Sequence, residues 1–223
     1  MDLTKQYPRG CELDALTALG VSECDELDGF KDGLIADTEA CRAVFDPFEH
    51  VGSTFNCSDT GKTMEISRAA AAVANALWTG PTTSNGDFIW YGYEIGADLK
   101  TLAPTVCKND TCSGSGTQGL TALYDLFVKK DPSANSTGLG REDFDFLAVT
   151  LKKTFASSVE ANITDLSTFR NAGGKMLTYH GLVRHIIHNW NIEFADPRIG
   201  RSLYPAPRLA QLLPGRESAD RFR

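Results

Sequence analysis

Asp25, Asp28 and Asp32 lie within Cys24-Asp25-Glu26-Leu27-Asp28-Gly29-Phe30-Lys31-Asp32-Gly33-Leu34-Ile35. Two Asp-Gly pairs place turns between them, because Gly accepts positive φ and Asp bonds its own backbone. Such turns can bring three carboxylates toward one point, where they repel unless a cation is present. Hard oxygen ligands select Ca²⁺, which takes 6–8 oxygens and accepts backbone carbonyls. The carbonyls of Phe30 and Leu34 continue a 28, 30, 32, 34 rhythm with the aspartates. The loop is not an EF-hand, since it lacks Asp-x-Asp-x-Asp-Gly and the Glu at its twelfth position. The alternative reading is two ordinary surface turns in an acidic loop.

Other reactive residue types lead less far. Six cysteines at 11, 24, 41, 57, 107 and 112 suit an oxidising compartment, and pairing in sequence order would give Cys11–Cys24, Cys41–Cys57 and Cys107–Cys112. Four Asn-x-Ser/Thr acceptors, at Asn56, Asn109, Asn135 and Asn162, point the same way. Gly114-Ser115-Gly116-Thr117-Gln118-Gly119 matches a dinucleotide fingerprint but follows a disulfide loop instead of a strand. His180, His185 and His188 lack a fourth zinc ligand at useful spacing. Ser58 follows Cys57, but residues 51–56 make a poor buried strand for a nucleophile turn.

The elements that position these groups are mostly helical. Leu13, Leu16 and Leu19 are at helical spacing and predict a short helix over 12–21, stapled by Cys11 to Cys24. Asp46-Pro47-Phe48 and residues 50–62 read as loop, closed by Cys41 and Cys57. An alanine-rich helix is predicted over Met64–Trp78, capped by Thr63 and stopped by Gly80-Pro81. Asp87–Tyr93 is aromatic and reads as a packed hairpin or as a surface turned toward a ligand. Helices are predicted at 121–129, at 141–155 and at 165–171 with Leu166 and Phe169 facing in. A buried strand is predicted at about 175–180.

A chain of 223 residues with net charge −7 makes nucleic acid an unsuitable partner. No apolar run reaches the ~18 residues of a membrane span. The charge is uneven: residues 1–50 carry a net of −8 and residues 197–223 a net of +4. Met1-Asp2-Leu3-Thr4-Lys5 has no apolar segment of a signal peptide. A cysteine- and sequon-bearing body without that signal reads as a chain that starts partway into its own protein.

Several blocks resemble the fungal tannase and feruloyl esterase family. They are Arg9-Gly10-Cys11-Glu12-Leu13-Asp14-Ala15, the acidic loop, Phe45-Asp46-Pro47-Phe48, Trp78-Thr79-Gly80-Pro81, Trp90-Tyr91-Gly92, and Asp165 to Leu182, including Gly173-Gly174-Lys175-Met176-Leu177-Thr178-Tyr179-His180-Gly181-Leu182. The resemblance runs from about Tyr7 to Leu182. It implies a secreted serine esterase of α/β class, with an α/β-hydrolase fold and an inserted α-rich lid. The implied substrates are small phenolic-acid esters, galloyl or feruloyl, cleaved through an acyl-enzyme. Residues 1–160 would form the lid, 161–182 a helix and the one core strand (about 175–180), and 183–223 a divergent, poorly ordered tail. The resemblance also implies structural Ca²⁺ on the carboxylates of Asp25, Asp28 and Asp32 and the carbonyls of Phe30 and Leu34. Trp90 and Tyr91 become candidates for stacking on a phenolic ring.

The departures are as informative. The family nucleophile lies in a Cys-Ser-x-Gly-Gly segment upstream of the lid, and its base in a Gly-x-x-His-Cys segment near the C-terminus; neither is found here. Arg184 stands where the family's acid follows His-Gly-Leu. The sequence therefore predicts a piece of an esterase that is inactive alone. Two other readings are a calcium-stabilised, non-catalytic module that binds phenolic ligands, and an enzyme with a rearranged site using Ser58 and His180.

Overall fold

The computed structural model describes residues 1, 4–108, 111–115, 140–159 and 165–175, with only the backbone at 155–159. Helix α1 spans Gly10–Cys24. It starts where Arg9 N–H donates to Glu12 Oε1 at 2.9 Å, a side chain reaching back to satisfy a free helix-start donor. Leu13 and Leu16 are wholly buried on its inner face. A 3₁₀ turn at Asp25–Asp28 opens the acidic loop. Helix α2, Thr38–Val44, follows under an Asp37 cap.

The stretch after α2 is more ordered than a loop. Asp46 caps a 3₁₀ turn at Pro47–His50. Strands β1 (Thr54–Cys57) and β2 (Lys62–Glu65) then form an antiparallel hairpin, with Asn56 opposite Thr63 and Cys57 opposite Lys62. That hairpin takes Met64 and Glu65 out of the predicted helix. Helix α3 instead spans Arg68–Thr79, and its cap is Ser67, whose Oγ accepts from Ala70 N–H at 3.1 Å. Gly80 ends it as expected.

Packing α1 against α3 makes the core. Leu13, Leu16, Ile66, Ala70, Ala74, Trp78, Ile95 and Leu99 belong to one buried cluster. Phe45 meets Trp78 edge-on at 5.6 Å. Helix α4 (Leu99–Leu102) lies on α1 and leads to a second hairpin, β3 (Thr105–Lys108) with β4 (Thr111–Gly114). Helix α5, Arg141–Val159, docks on the 82–84 turn: Asp145 Oδ2 accepts from Ser84 N–H at 2.8 Å, and Arg141 donates to the Thr82 carbonyl. Helix α6 is Ser167–Asn171; here Phe169 does not face inward but is 45% exposed, its ring over Gly174.

The cystines are nested, not sequential. Cys11 pairs with Cys57, Cys24 with Cys41, and Cys107 with Cys112. Pairing Cys11 with Cys24 is excluded because α1 holds them at opposite ends, about 20 Å apart at 1.5 Å per residue. The predicted helix at 121–129, the strand at 176–180, His180, His185, His188 and the 183–223 tail lie outside the described residues. Among the described residues both sheets are two-stranded and antiparallel, and no helix is long and apolar enough to cross a membrane.

Candidate functional site

The acidic loop closes on its own backbone. Asp25 is buried, and its Oδ1 accepts from Asp32 N–H at 3.0 Å and Gly33 N–H at 2.7 Å. Asp28 Oδ1 accepts from Phe30 N–H, and Asp32 Oδ1 from Leu34 N–H. Each aspartate thus commits Oδ1 to shaping a turn. Gly29 and Gly33 follow two of them at φ of 91° and 79°, where a side chain would be strained. Lys31 pairs with Glu26 at 2.8 Å, and that hydrogen bond holds the ammonium above its usual value. The donor chemistry is the all-oxygen set that suits Ca²⁺. Among the described residues, however, the three ligand-type atoms gathered within 4.8 Å belong to Cys11, Cys57 and Asp59, not to the three aspartates. Cys11 and Cys57 are a disulfide and leave no thiolate for a metal.

Residues 80–94 form the aromatic surface. Phe88 and Trp90 are 56% and 39% exposed. Tyr91 meets both rings edge-on, at 4.8 and 5.9 Å. A single bridge, Thr82 to Phe88, is the regular strand pairing here, so the segment is irregular, exposed from 84 to 88 and buried again at Gly92 and Glu94, and not a packed hairpin. Arg42 holds it in place: Nη1 donates to Trp78 O at 2.6 Å, and Nη2 to Tyr93 O at 2.8 Å and Glu94 Oε2 at 3.2 Å. Gly92 passes so close to α3 that a Cβ would lie 1.9 Å from Trp78 O. Burial pushes the Tyr93 hydroxyl above its usual value.

Sequence reasoning missed Arg42 and Glu12. Glu12 is buried, and its second oxygen, Oε2, accepts from Ser67 N–H at 2.9 Å, tying the start of α1 to the start of α3. Arg42 bonds across long stretches of chain here, and Glu12, whose bond to Arg9 N–H is a local helix-start contact, shows its tie to Ser67 only once the chain is folded.

The residues considered for catalysis are not assembled into a triad within the described part. Ser58 is exposed on the β1–β2 turn and donates to Asp59 Oδ1 at 3.3 Å. His50, the one histidine among the described residues, faces Glu23 at 3.2 Å and stacks on Phe45. Asn56 is exposed on β1, and Asn109, Asn135 and Asn162 lie outside the described residues.

A profile of the family described as tannase and feruloyl esterase matches residues 1–189. The chain belongs to that family. A probable feruloyl esterase of Arthroderma benhamiae is 28% identical over 188 residues, covering 84% of this chain and 34% of that protein. A tannase of Aspergillus oryzae is 25% identical, covering 78% and 36%. The chain thus spans about a third of the length of the relatives it matches. The fold is shared with tannin acyl hydrolase from Aspergillus niger, at TM-score 0.70 and 21% identity over 93% of this chain and 39% of that one. Feruloyl esterase B from Aspergillus oryzae gives 0.63 at 21% identity over 88% and 36%. Tannase and feruloyl esterase are ester hydrolases; all six cysteines of this chain are in disulfides, of which Cys107–Cys112 is the one expected from sequence order.

Proposed function

We propose that this chain forms the calcium-braced, lid-type region of a secreted carboxylic ester hydrolase acting on small phenolic-acid esters, and that its 223 residues alone do not turn an ester over. The family match over residues 1–189 carries the reading. Esters of this kind are opened by a serine that forms an acyl-enzyme, which requires a base to take the serine proton and an acid to orient that base. The exposed Ser58, the Glu23-paired His50 and an arginine at position 184 supply no such relay. A guanidinium at the acid's place would oppose the imidazolium formed during attack.

Ca²⁺ would be held by Asp25, Asp28 and Asp32 through carboxylate and by Phe30 and Leu34 through carbonyl. Bound there, it neutralises the loop's acidic charge and ties its turns together. The supporting observation is the loop's own architecture, in which Oδ1 of each aspartate is engaged by backbone N–H groups.

Two measurements on the purified chain test the proposal. Methyl ferulate and methyl gallate should not be hydrolysed above buffer; turnover would end the inactivity claim. Ca²⁺ at a hundredfold over its Kd should raise the unfolding free energy by about 2.7 kcal/mol. Asp25→Asn keeps a neutral acceptor for the two N–H groups and should abolish that shift. An unshifted wild-type chain would remove calcium from the account.

The exposed Phe88–Trp90–Tyr91 cluster favours a second reading, a binding module for phenolic rings without catalysis. Saturable ferulate or gallate binding, lost in Trp90→Ala, would distinguish it.

A further inference from the structure

Asn56-Cys57-Ser58 is both an N-glycosylation acceptor and one end of a buried disulfide. In the folded domain every part of it is engaged. Asn56 is exposed, yet it pairs with Thr63 across the hairpin and its Oδ1 accepts from Thr63 Oγ1 at 3.1 Å. Cys57 is 1% exposed and bonded to Cys11. The Ser58 hydroxyl donates to Asp59. A transferase must hold the asparagine amide and the hydroxyl two residues on together, in a strip of chain free to fit its groove. The closed hairpin does not offer that strip.

We propose that Asn56 is an N-glycosylation site whose occupancy is set by a race between glycosyl transfer and closure of the Cys11–Cys57 disulfide. The proposal rests on the secretory part of the function given above. In the transfer, the Asn56 amide nitrogen bonds to the anomeric carbon of a lipid-linked oligosaccharide pyrophosphate. The sugar's C–O bond to pyrophosphate breaks, the lipid pyrophosphate leaves with the electron pair, and the amide loses one proton. In closure, the two thiols yield two protons and two electrons by exchange with an oxidised dithiol carrier of that compartment, which leaves reduced.

The timescales make it a contest. Chains grow at about 5–20 residues per second, and disulfides form over seconds to hours. Cys11 precedes Cys57 by 46 residues, so both partners emerge within seconds of one another. The order glycan first, disulfide second is sterically open. Adjacent residues of a strand point to opposite faces, and on β1 Asn56 is exposed where Cys57 is buried. Once the disulfide and hairpin have closed, the acceptor is lost.

The test expresses the full chain behind an added leader in a glycosylating host. Occupancy at each sequon is read by mass spectrometry of total lysate, so secretion and folding yield do not enter. Wild type should be partly occupied at Asn56, and Cys11→Ser should raise that occupancy about twofold or more. Asn135 and Asn162, far from any cysteine in sequence, should not change. Cys24→Ser, which removes the inner disulfide, should leave Asn56 at the wild-type level. A pulse of dithiothreitol on cells making wild-type chain should reproduce the Cys11→Ser result without a substitution. Full occupancy in wild type, or no occupancy at Asn56 in Cys11→Ser, overturns the proposal, as does an equal rise at all sequons. No glycan at any of the four sequons behind the leader defeats the secretory reading, whereas glycan at Asn135 or Asn162 with Asn56 occupancy unmoved by Cys11→Ser defeats the race alone.

Discussion

Residues 10–66 hold two nested cystines around a buried core, whereas residues 80–94 have no cystine and one bridge, and lean on the Arg42 guanidinium. The acidic loop belongs to the first region and the exposed aromatic rings to the second. The calcium proposed for the acidic loop would need oxygens at fixed spacing, and the disulfide from Cys24 to Cys41 closes covalently around that loop. The rings of Phe88 and Trp90 are left exposed, so the segment gains little from burying them. The polar clamp beneath it supplies the rigidity that burial cannot.

The sharpest break in this comparison is Arg42→Met. It leaves the Glu94 carboxylate, 5% exposed, and two carbonyls without their guanidinium. Removing one partner of a buried pair costs roughly 3–5 kcal/mol. Urea unfolding should show that loss, while the Ca²⁺ affinity proposed for the acidic loop, measured in the folded fraction, should stay within about twofold if the two regions are independent.

Next in size are the cystines. Replacing both Cys24 and Cys41 by serine should cost roughly 3 kcal/mol, since the bond spans 17 residues. The same change at Cys107 and Cys112, five residues apart, should cost clearly less. Equal losses in thermal unfolding would mean that loop closure is not what the inner cystine contributes.

The smallest effect concerns Lys100, which bridges Asp59 at 3.1 Å and Asp14 at 3.5 Å. The Lys100 hydrogen bond holds the Asp59 carboxyl below its usual 3.8, against a burial effect that raises it. A depressed carboxylate stabilises the fold above its unfolded pKa and loses that contribution as the pH falls through its folded value. Asp59→Asn should therefore weaken the chain slightly at neutral pH and match wild type in strong acid. Both groups are more than a third exposed, so the difference should stay within about 1 kcal/mol. A gap that widens on acidification would contradict this.

Much of this was legible in the residues. The period of Leu13 and Leu16 marked α1, the two Asp-Gly pairs marked the loop turns, and the family blocks marked the relatives. The misread parts depend on partners far along the chain. Met64 and Glu65 look helical in isolation, but pairing with Phe55 and Thr54 makes them a strand, and Ser67 takes over the cap. The sequential cystine order conflicts with the helix predicted over 12–21, which already holds Cys11 and Cys24 too far apart to meet; which partners they take instead depends on the fold. The roles of Arg42 and Glu12 depend on α3 and the 93–94 backbone, which the chain brings beside them only on folding.

The nesting of Cys24–Cys41 inside Cys11–Cys57 makes residues 11–57 a ring within a ring. A protease that cuts once in that span frees nothing, because the ends on either side remain joined through sulfur. The acidic loop could be nicked between Asp25 and Leu34 and the chain would still migrate as one piece until a reductant released the halves. For this molecule, covalent integrity and backbone continuity are separate properties.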